Sequence, residues 1–194
     1  MHPAPAESPA HGGPPPLPRN GPQIQPFGTL RPLPLGLGDD VRSHSCDGLN
    51  RLLADTQVLH SLYKKHHWLV HGPTFPSLHL MLDRHAGEQL ALVDALAERI
   101  QTLGGVAVGD PRHVAELTCV PRPPDGVEPV PAMLARLLDA HERILPAARD
   151  AAARAASAGD EGTADLLVSG VVRTGEAQVW FLAATLADTS APRD

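Results

Sequence analysis

Residues 76–105 read PSLHLMLDRHAGEQLALVDALAERIQTLGG, and the fold is decided there. The stretch reads as one long helix from about Pro76 to Leu103. Gly104-Gly105 stops it, a strong C-terminal signal. Leu80, Leu90, Val93, Ala97 and Ile100 mark it as a closely packed helix. Its key polar residues are His79, Asp83, Asp94 and Glu98, set in two pairs four residues apart. Residues at that spacing are neighbours on a helix surface.

The same periodicity extends in both directions. Leu49, Leu52, Leu53, Thr56, Leu59 and Tyr63 recur at three- and four-residue steps, which predicts a first helix from about Asp40 to Val70. His71-Gly72-Pro73 breaks it. After Gly105 comes a proline-rich connection in which Asp110-Pro111 caps a short helix, Arg112 to Leu117. A third long helix is expected over about Pro131–Ala158 and a fourth over about Asp160–Leu186, opened by Gly159-Asp160. Gly170 and Gly175 each cost that fourth helix up to about 1 kcal/mol, and no role is read from them. No strand alternation occurs, so the class is all-α. Four long helices and one extended connection carrying a small helix make a four-helix bundle.

The chain has 194 residues, enough for one sizeable domain. Hydrophobic residues are 42% and aromatics only 3%, so aliphatic side chains and alanine must fill the core. Residues 1–38 hold about half of the 21 prolines and form a Pro/Gly-rich tail expected to be flexible. Its charges are Glu7, Arg19 and Arg31. Its apolar end, Pro26 to Leu37, is expected to strap onto a neighbouring surface. The bundle then spans 39–189, and 190–194 is a short C-terminal tail. No apolar run approaches the roughly 20 residues that span a bilayer. The N-terminus shows no basic segment leading into an apolar one, so no secretory signal is expected; the two cysteines, too few for a disulfide scaffold, fit a reducing cytoplasm. Cys46 and Cys119 have no metal-finger spacing and read as buried thiols. A net charge of −6 argues against coating nucleic acid by bulk charge.

The chemistry lies on the second helix. Asp83 and Asp94 are eleven residues apart, about three turns, so both pairs share one face. They are also about 16 Å apart along the axis. One metal ion, with bonds near 2 Å, cannot be held by both pairs of a single chain. Either the pairs are independent, or a second copy of the helix runs antiparallel and sets His79/Asp83 opposite Asp94/Glu98 of its twin. A two-fold axis would then create two equivalent sites. His67, near the end of the first helix, can join His79 across the short loop. Two imidazoles and three carboxylates suit Fe(II), Mn or Zn. Against this, helical carboxylates are commonly just solvated, and Glu98-Arg99 could be a surface charge pair.

Trp68 follows His67 directly, and reads as packing or as an oxidisable side chain beside a redox site. Trp180 reads as core. His85, two residues past Asp83, points away from it on an ideal helix and is at most an auxiliary ligand. His2, His11, His44, His60, His113 and His141 read as exposed. Asp160, Glu161 and Asp165 read as capping charges, or as the lining of a cation pore if the chain assembles about three-fold axes.

Several motifs resemble the Dps family of mini-ferritins, the DNA-protection-during-starvation proteins. They are Tyr63-Lys64-Lys65-His66-His67-Trp68, His71-Gly72-Pro73-Thr74-Phe75, Leu78-His79-Leu80-Met81-Leu82-Asp83 and Asp94-Ala95-Leu96-Ala97-Glu98-Arg99-Ile100. Leu49 to Asp55, Gly162 to Leu167 and Gln178 to Leu182 extend the likeness over about 26–189. The resemblance implies a ferritin-like bundle assembled as a hollow homododecamer. It implies an intersubunit ferroxidase centre with metal ligands His67, His79 and Asp83 from one subunit and Asp94 and Glu98 from its partner. The implied activity is oxidation of Fe2+ to Fe3+, preferably by hydrogen peroxide, with storage of the ferric mineral and protection of DNA under oxidative stress. Trp68 would intercept radicals, and Asp160 and Asp165 would line iron pores. The departure is in the tail. The chain's only lysines are Lys64 and Lys65, so direct DNA binding is expected to be weak or indirect. The competing readings are a DNA-compacting protein with a secondary metal site and a helical oligomer holding structural zinc. Paired Glu-x-x-His motifs on separate helices, the mark of a di-iron site inside one bundle, are absent.

Overall fold

The computed structural model describes residues 21–190, with side chains through Ala187. The outer tail residues, including His2 and His11, and the end of the C-terminal tail lie outside the described residues. Among the described residues there is no strand, and no helix is long and apolar enough to cross a membrane.

Helices α1 (Asp39–Leu69) and α2 (Phe75–Thr102) are joined by residues 70–74 and pack along each other. Helix α3 (Pro111–Leu117) lies in the crossover, capped by the Asp110 side chain, which accepts from the Arg112 amide at 2.9 Å. Helix α4 (Val130–Ser157) then packs on α1. The fourth long rod is built of α5 (Glu161–Asp165), a π-helical stretch over Leu166–Val172, and α6 (Arg173–Ser190). The spacing predicts an unbroken α-helix here. The wider turn is the difference, and it contains Gly170.

The core is aliphatic. Leu49, Leu52, Leu53 and Leu59 of α1 meet Leu78, Leu82, Leu96 and Ile100 of α2, with Leu134, Leu137 and Ala148 of α4. Among the chain's six aromatic side chains only Tyr63 is buried. Trp180, expected in the core, is 68% exposed. His141, expected at the surface, is fully buried beside Tyr63. The reason for that burial is room at Gly175, where an added Cβ would stand 2.8 Å from Leu145 and 3.4 Å from the His141 ring.

The crossover is tied down by side chains of α1. Asn50 donates to the Val106 carbonyl and accepts from the Val108 amide. Buried Asp55 accepts from the Thr118 hydroxyl and the Cys119 amide. Cys46 is buried as expected, and burial pushes its thiol up to about 11. Cys119 is exposed, contrary to expectation, with its thiol on Asp55 at 3.4 Å.

Residues 21–38 lie along the end of the α1–α2 pair. The Arg31 amide and the Gln25 side chain both donate to the Gly104 carbonyl, at 2.9 and 2.8 Å. Buried Arg42 donates to the Arg31 and Leu103 carbonyls. Leu30 and Leu37 pack against the core, and Phe27 sets its ring edge against His113.

Candidate metal centre

The break at His71-Gly72-Pro73 determines how α1 and α2 face each other. Gly72 has φ +89°, a left-handed conformation that glycine adopts without strain. Its carbonyl accepts from the Phe75 amide at 3.0 Å. The chain reverses within these few residues, bringing the last turn of α1 beside the first turns of α2. His67 and His79 therefore meet, their rings stacked at 3.8 Å and 23°.

Two reciprocal hydrogen bonds lock the pair. His67 Nδ1 donates to the His79 carbonyl at 2.9 Å, and His79 Nδ1 donates to the His67 carbonyl at 3.0 Å. A carbonyl can only accept, so both Nδ1 atoms carry the hydrogen. Nε2 of each ring is then left free to offer a lone pair to a metal ion. Fixing the distal nitrogen to a backbone carbonyl is how metal-binding imidazoles are oriented and made basic. The pair fits a divalent cation of intermediate hardness.

Asp83 lies one turn beyond His79. Its Oδ1 is 3.9 Å from His67 Nε2 and 2.7 Å from Lys64 Nζ. The ammonium group thus stands at a carboxylate oxygen next to the imidazole. The Lys64 hydrogen bond holds the Asp83 carboxyl below its ordinary pKa. Lys64 and Asp83 are both accessible enough for this contact to exchange with water or another cation.

Asp94 and Glu98 are on the same helix but far from this cluster. Both are exposed, and among the described residues neither side chain has a hydrogen bond or an ion pair. The simple charge pair of Glu98 with Arg99 does not form. Arg99 turns inward instead and binds Asp160 and the Thr163 hydroxyl. Among the described residues no group of three or more His, Cys, Asp or Glu side chains closes into a metal site within one chain. The five predicted ligands are therefore divided: His67, His79 and Asp83 come together, and Asp94 and Glu98 stand apart. Beside the cluster, Trp68 and Leu80 are 68% and 70% exposed, and Leu90 further along α2 is exposed too. The close packing expected at Leu80 and Leu90 is absent from the single chain.

The two acids considered for a pore also separate. Asp160 is buried and accepts from Ser45, Arg99 and the Thr163 amide, so it acts as the cap of α5. Asp165 and Glu161 are exposed. His85 points into the bundle, where its ring meets Tyr63 edge-on at 5.4 Å. Burial depresses the pKa of His66, His85 and His141 to about 4 each.

Sequence reasoning missed a buried polar chain across the bundle. Tyr63 of α1 bonds His141 of α4, Gln178 of α6 faces His141, and Gln178 reaches Gln89 and Glu88 of α2. The available signal was His85, Gln89, His141 and Gln178 standing on the apolar faces of their helices.

Residues 46–191 match the ferritin-like domain family. The solved structure of DpsC from Streptomyces coelicolor is 63% identical to this chain. It superposes with a TM-score of 0.86, covering 89% of this chain and 100% of that one. The nutrient stress-induced DNA-binding protein of Synechococcus sp. is 40% identical over 167 residues, 86% of this chain and 94% of the relative. A DPS protein from Vibrio cholerae O1, a member of a broad superfamily of ferritin-like diiron-carboxylate proteins, is 28% identical. Its TM-score is 0.74, covering 79% of this chain and 96% of that one.

Proposed function

Because the chain belongs to the Dps family of ferritin-like proteins, we propose that it oxidises Fe(II) at a centre shared between two subunits and stores the ferric product. His67, His79 and Asp83 of one subunit bind iron together with Asp94 and Glu98 of a two-fold partner. The single observation that carries this reading is the His67–His79 pair. Its two Nε2 lone pairs are fixed by backbone acceptors, while the Asp94 and Glu98 side chains stand unpaired on an exposed face among the described residues. Exposed Leu80 and Trp68 supply apolar surface for a partner to cover.

The substrates are Fe(II) and hydrogen peroxide. Two ferrous ions give one electron each, the O–O bond breaks, and two protons complete two waters. Lys64 yields Asp83 to the incoming cation. Trp68, beside His67, is placed to take up a stray oxidising equivalent. The oligomer is a homododecamer located in the cytoplasm. Asp165, with Glu161, lines the cation entry, whereas Asp160 is already engaged as a cap. DNA is protected by removal of both reactants that generate hydroxyl radicals.

A second reading, direct DNA binding, is suggested by the name of the Synechococcus relative. Against it, the net charge is −6 and both lysines are engaged, Lys64 with Asp83 and Lys65 with the Pro124 carbonyl. Anaerobic Fe(II) loading followed by peroxide tests the main reading through the ultraviolet absorbance of ferric product. A rate well above buffer, abolished in an assembled Asp94→Ala variant, is expected. Equal rates for wild type and Asp94→Ala would overturn the site.

A further inference from the structure

Tyr63 is the chain's only tyrosine, and it is completely buried in a mainly aliphatic core. Its hydroxyl lies 2.8 Å from His141 Nε2, inside the bundle. The Gln178 side chain faces the His141 ring. Gln178 also accepts from Gln89 at 2.9 Å and donates to Glu88 at 2.8 Å. Glu88 is partly exposed, its carboxylate also facing Arg84 at 3.6 Å. A line of polar groups therefore runs from the buried phenol to the surface through all four long helices.

Core packing alone does not require it. Burying a phenol, an imidazole and two amides is costly unless every partner is present, and apolar groups of the same shape serve stability as well. What the arrangement supplies chemically is a phenol with a proton acceptor already in contact. A phenol is hard to oxidise while it keeps its proton, and His141 is uncharged at neutral pH and free to take that proton at Nε2. Tyr63 also precedes His67 by one helical turn, about 6 Å along α1 and on nearly the same side.

We propose that Tyr63 is a one-electron donor to the iron centre, with His141 as its proton acceptor. The role rests on the ferroxidase reading above. It matters when a centre holds a single Fe(II), which can supply only one of the two electrons that peroxide takes up. The second comes from Tyr63. The O–O bond breaks, two solvent protons complete two waters, Fe(II) becomes Fe(III), and the phenolic proton moves to His141. The products at the pair are a neutral tyrosyl radical and an imidazolium whose charge is shared with Gln178. The next Fe(II) to arrive returns the electron, and His141 returns the proton. The full cycle still consumes two Fe(II) and one peroxide, and no hydroxyl radical is released at the half-filled stage.

Freeze-quenched electron paramagnetic resonance on the assembled full-length protein tests this. Fe(II) is supplied below one per centre, peroxide is added, and ferric absorbance is followed in parallel. A tyrosyl spectrum is expected in the wild type, assignable without labelling because the chain has one tyrosine. In Tyr63→Phe it should vanish, leaving at most indole-type signals, and ferric formation at low iron loading should slow several-fold. In His141→Gln the radical yield should collapse although Tyr63 remains. Ferric product without any tyrosyl signal in the wild type would overturn the proposal and leave the ferroxidase intact. A full-strength signal in folded His141→Gln would overturn the proton acceptor. Absence of ferric product would remove the ferroxidase reading and this role with it. If His141→Gln does not fold, wild type against Tyr63→Phe still decides.

Discussion

His67 and His79 each donate from Nδ1 to the other's backbone carbonyl, at 2.9 and 3.0 Å. Neither ring depends on the other's side chain for its orientation. Replacing one therefore removes a ligand without releasing its neighbour, which makes the division of ligands between subunits testable by mixing.

Assembled His67→Ala and Asp94→Ala variants should each be inactive in Fe(II) oxidation. Subunits of the two kinds, unfolded together and reassembled in equal amounts, should recover about a quarter of wild-type activity, because half of the two-fold pairs are mixed and each mixed pair rebuilds one of its two sites. No recovery would place all ligands within one subunit.

Lys64 occupies an oxygen of Asp83 that the metal would use. Lys64→Met should strengthen the binding of Co(II), a redox-inert stand-in at the centre, by about tenfold, since a competing positive charge is removed. Calorimetric titration without oxidant measures it. Weaker binding in the variant would mean that the ammonium group organises the site rather than guarding it.

Acid should unfold the protein through its buried histidines. His66, His85 and His141 are held near pKa 4, against 6.5 for an ordinary histidine. Between those values the unfolded chain binds protons that the folded chain refuses, so stability falls as the pH drops from 6.5 toward 4. Each unit of depression corresponds to about 1.4 kcal/mol. Thermal melts from pH 7 to pH 4 should show a falling midpoint that begins near pH 6.5. A midpoint constant down to pH 5 would contradict neutral burial of these rings.

Asp160 and Asp165 should behave oppositely. Asp160→Ala strands buried Ser45 and Arg99 and removes the cap of α5, a loss of about 3 kcal/mol. Asp165→Ala should change stability by less than about 0.5 kcal/mol yet slow mineral growth if its carboxylate lines the iron entry. Denaturant melts and mineralisation rates separate the two effects.

Much of the fold was legible because helical periodicity and punctuation are local. Gly104-Gly105 ends α2 within one residue of the expected position, and Asp110-Pro111 caps α3 as the spacing predicts. The π-helical stretch was not legible, because wide turns carry no periodic mark. Trp180 and His141 exchanged their expected places. An indole on an apolar helix face need not face its own core, and an imidazole can enter a core where another helix supplies space and a partner. Gly175 provides that space for His141, but a glycine in a sequence does not say which side chain will fill the gap.

What the sequence determined by itself is the set of four long helices and the two pairs of polar residues on the second. Those follow from spacing along one chain, which fixes faces and axial distances whatever packs around them. Tertiary structure alone decided three other matters: the stacking of His67 on His79, the placement of Lys64 on Asp83, and the hydrogen bond between Tyr63 and His141. Each depends on how two helices approach and which atoms then face each other, and side chains from separate helices have no common register until the bundle closes.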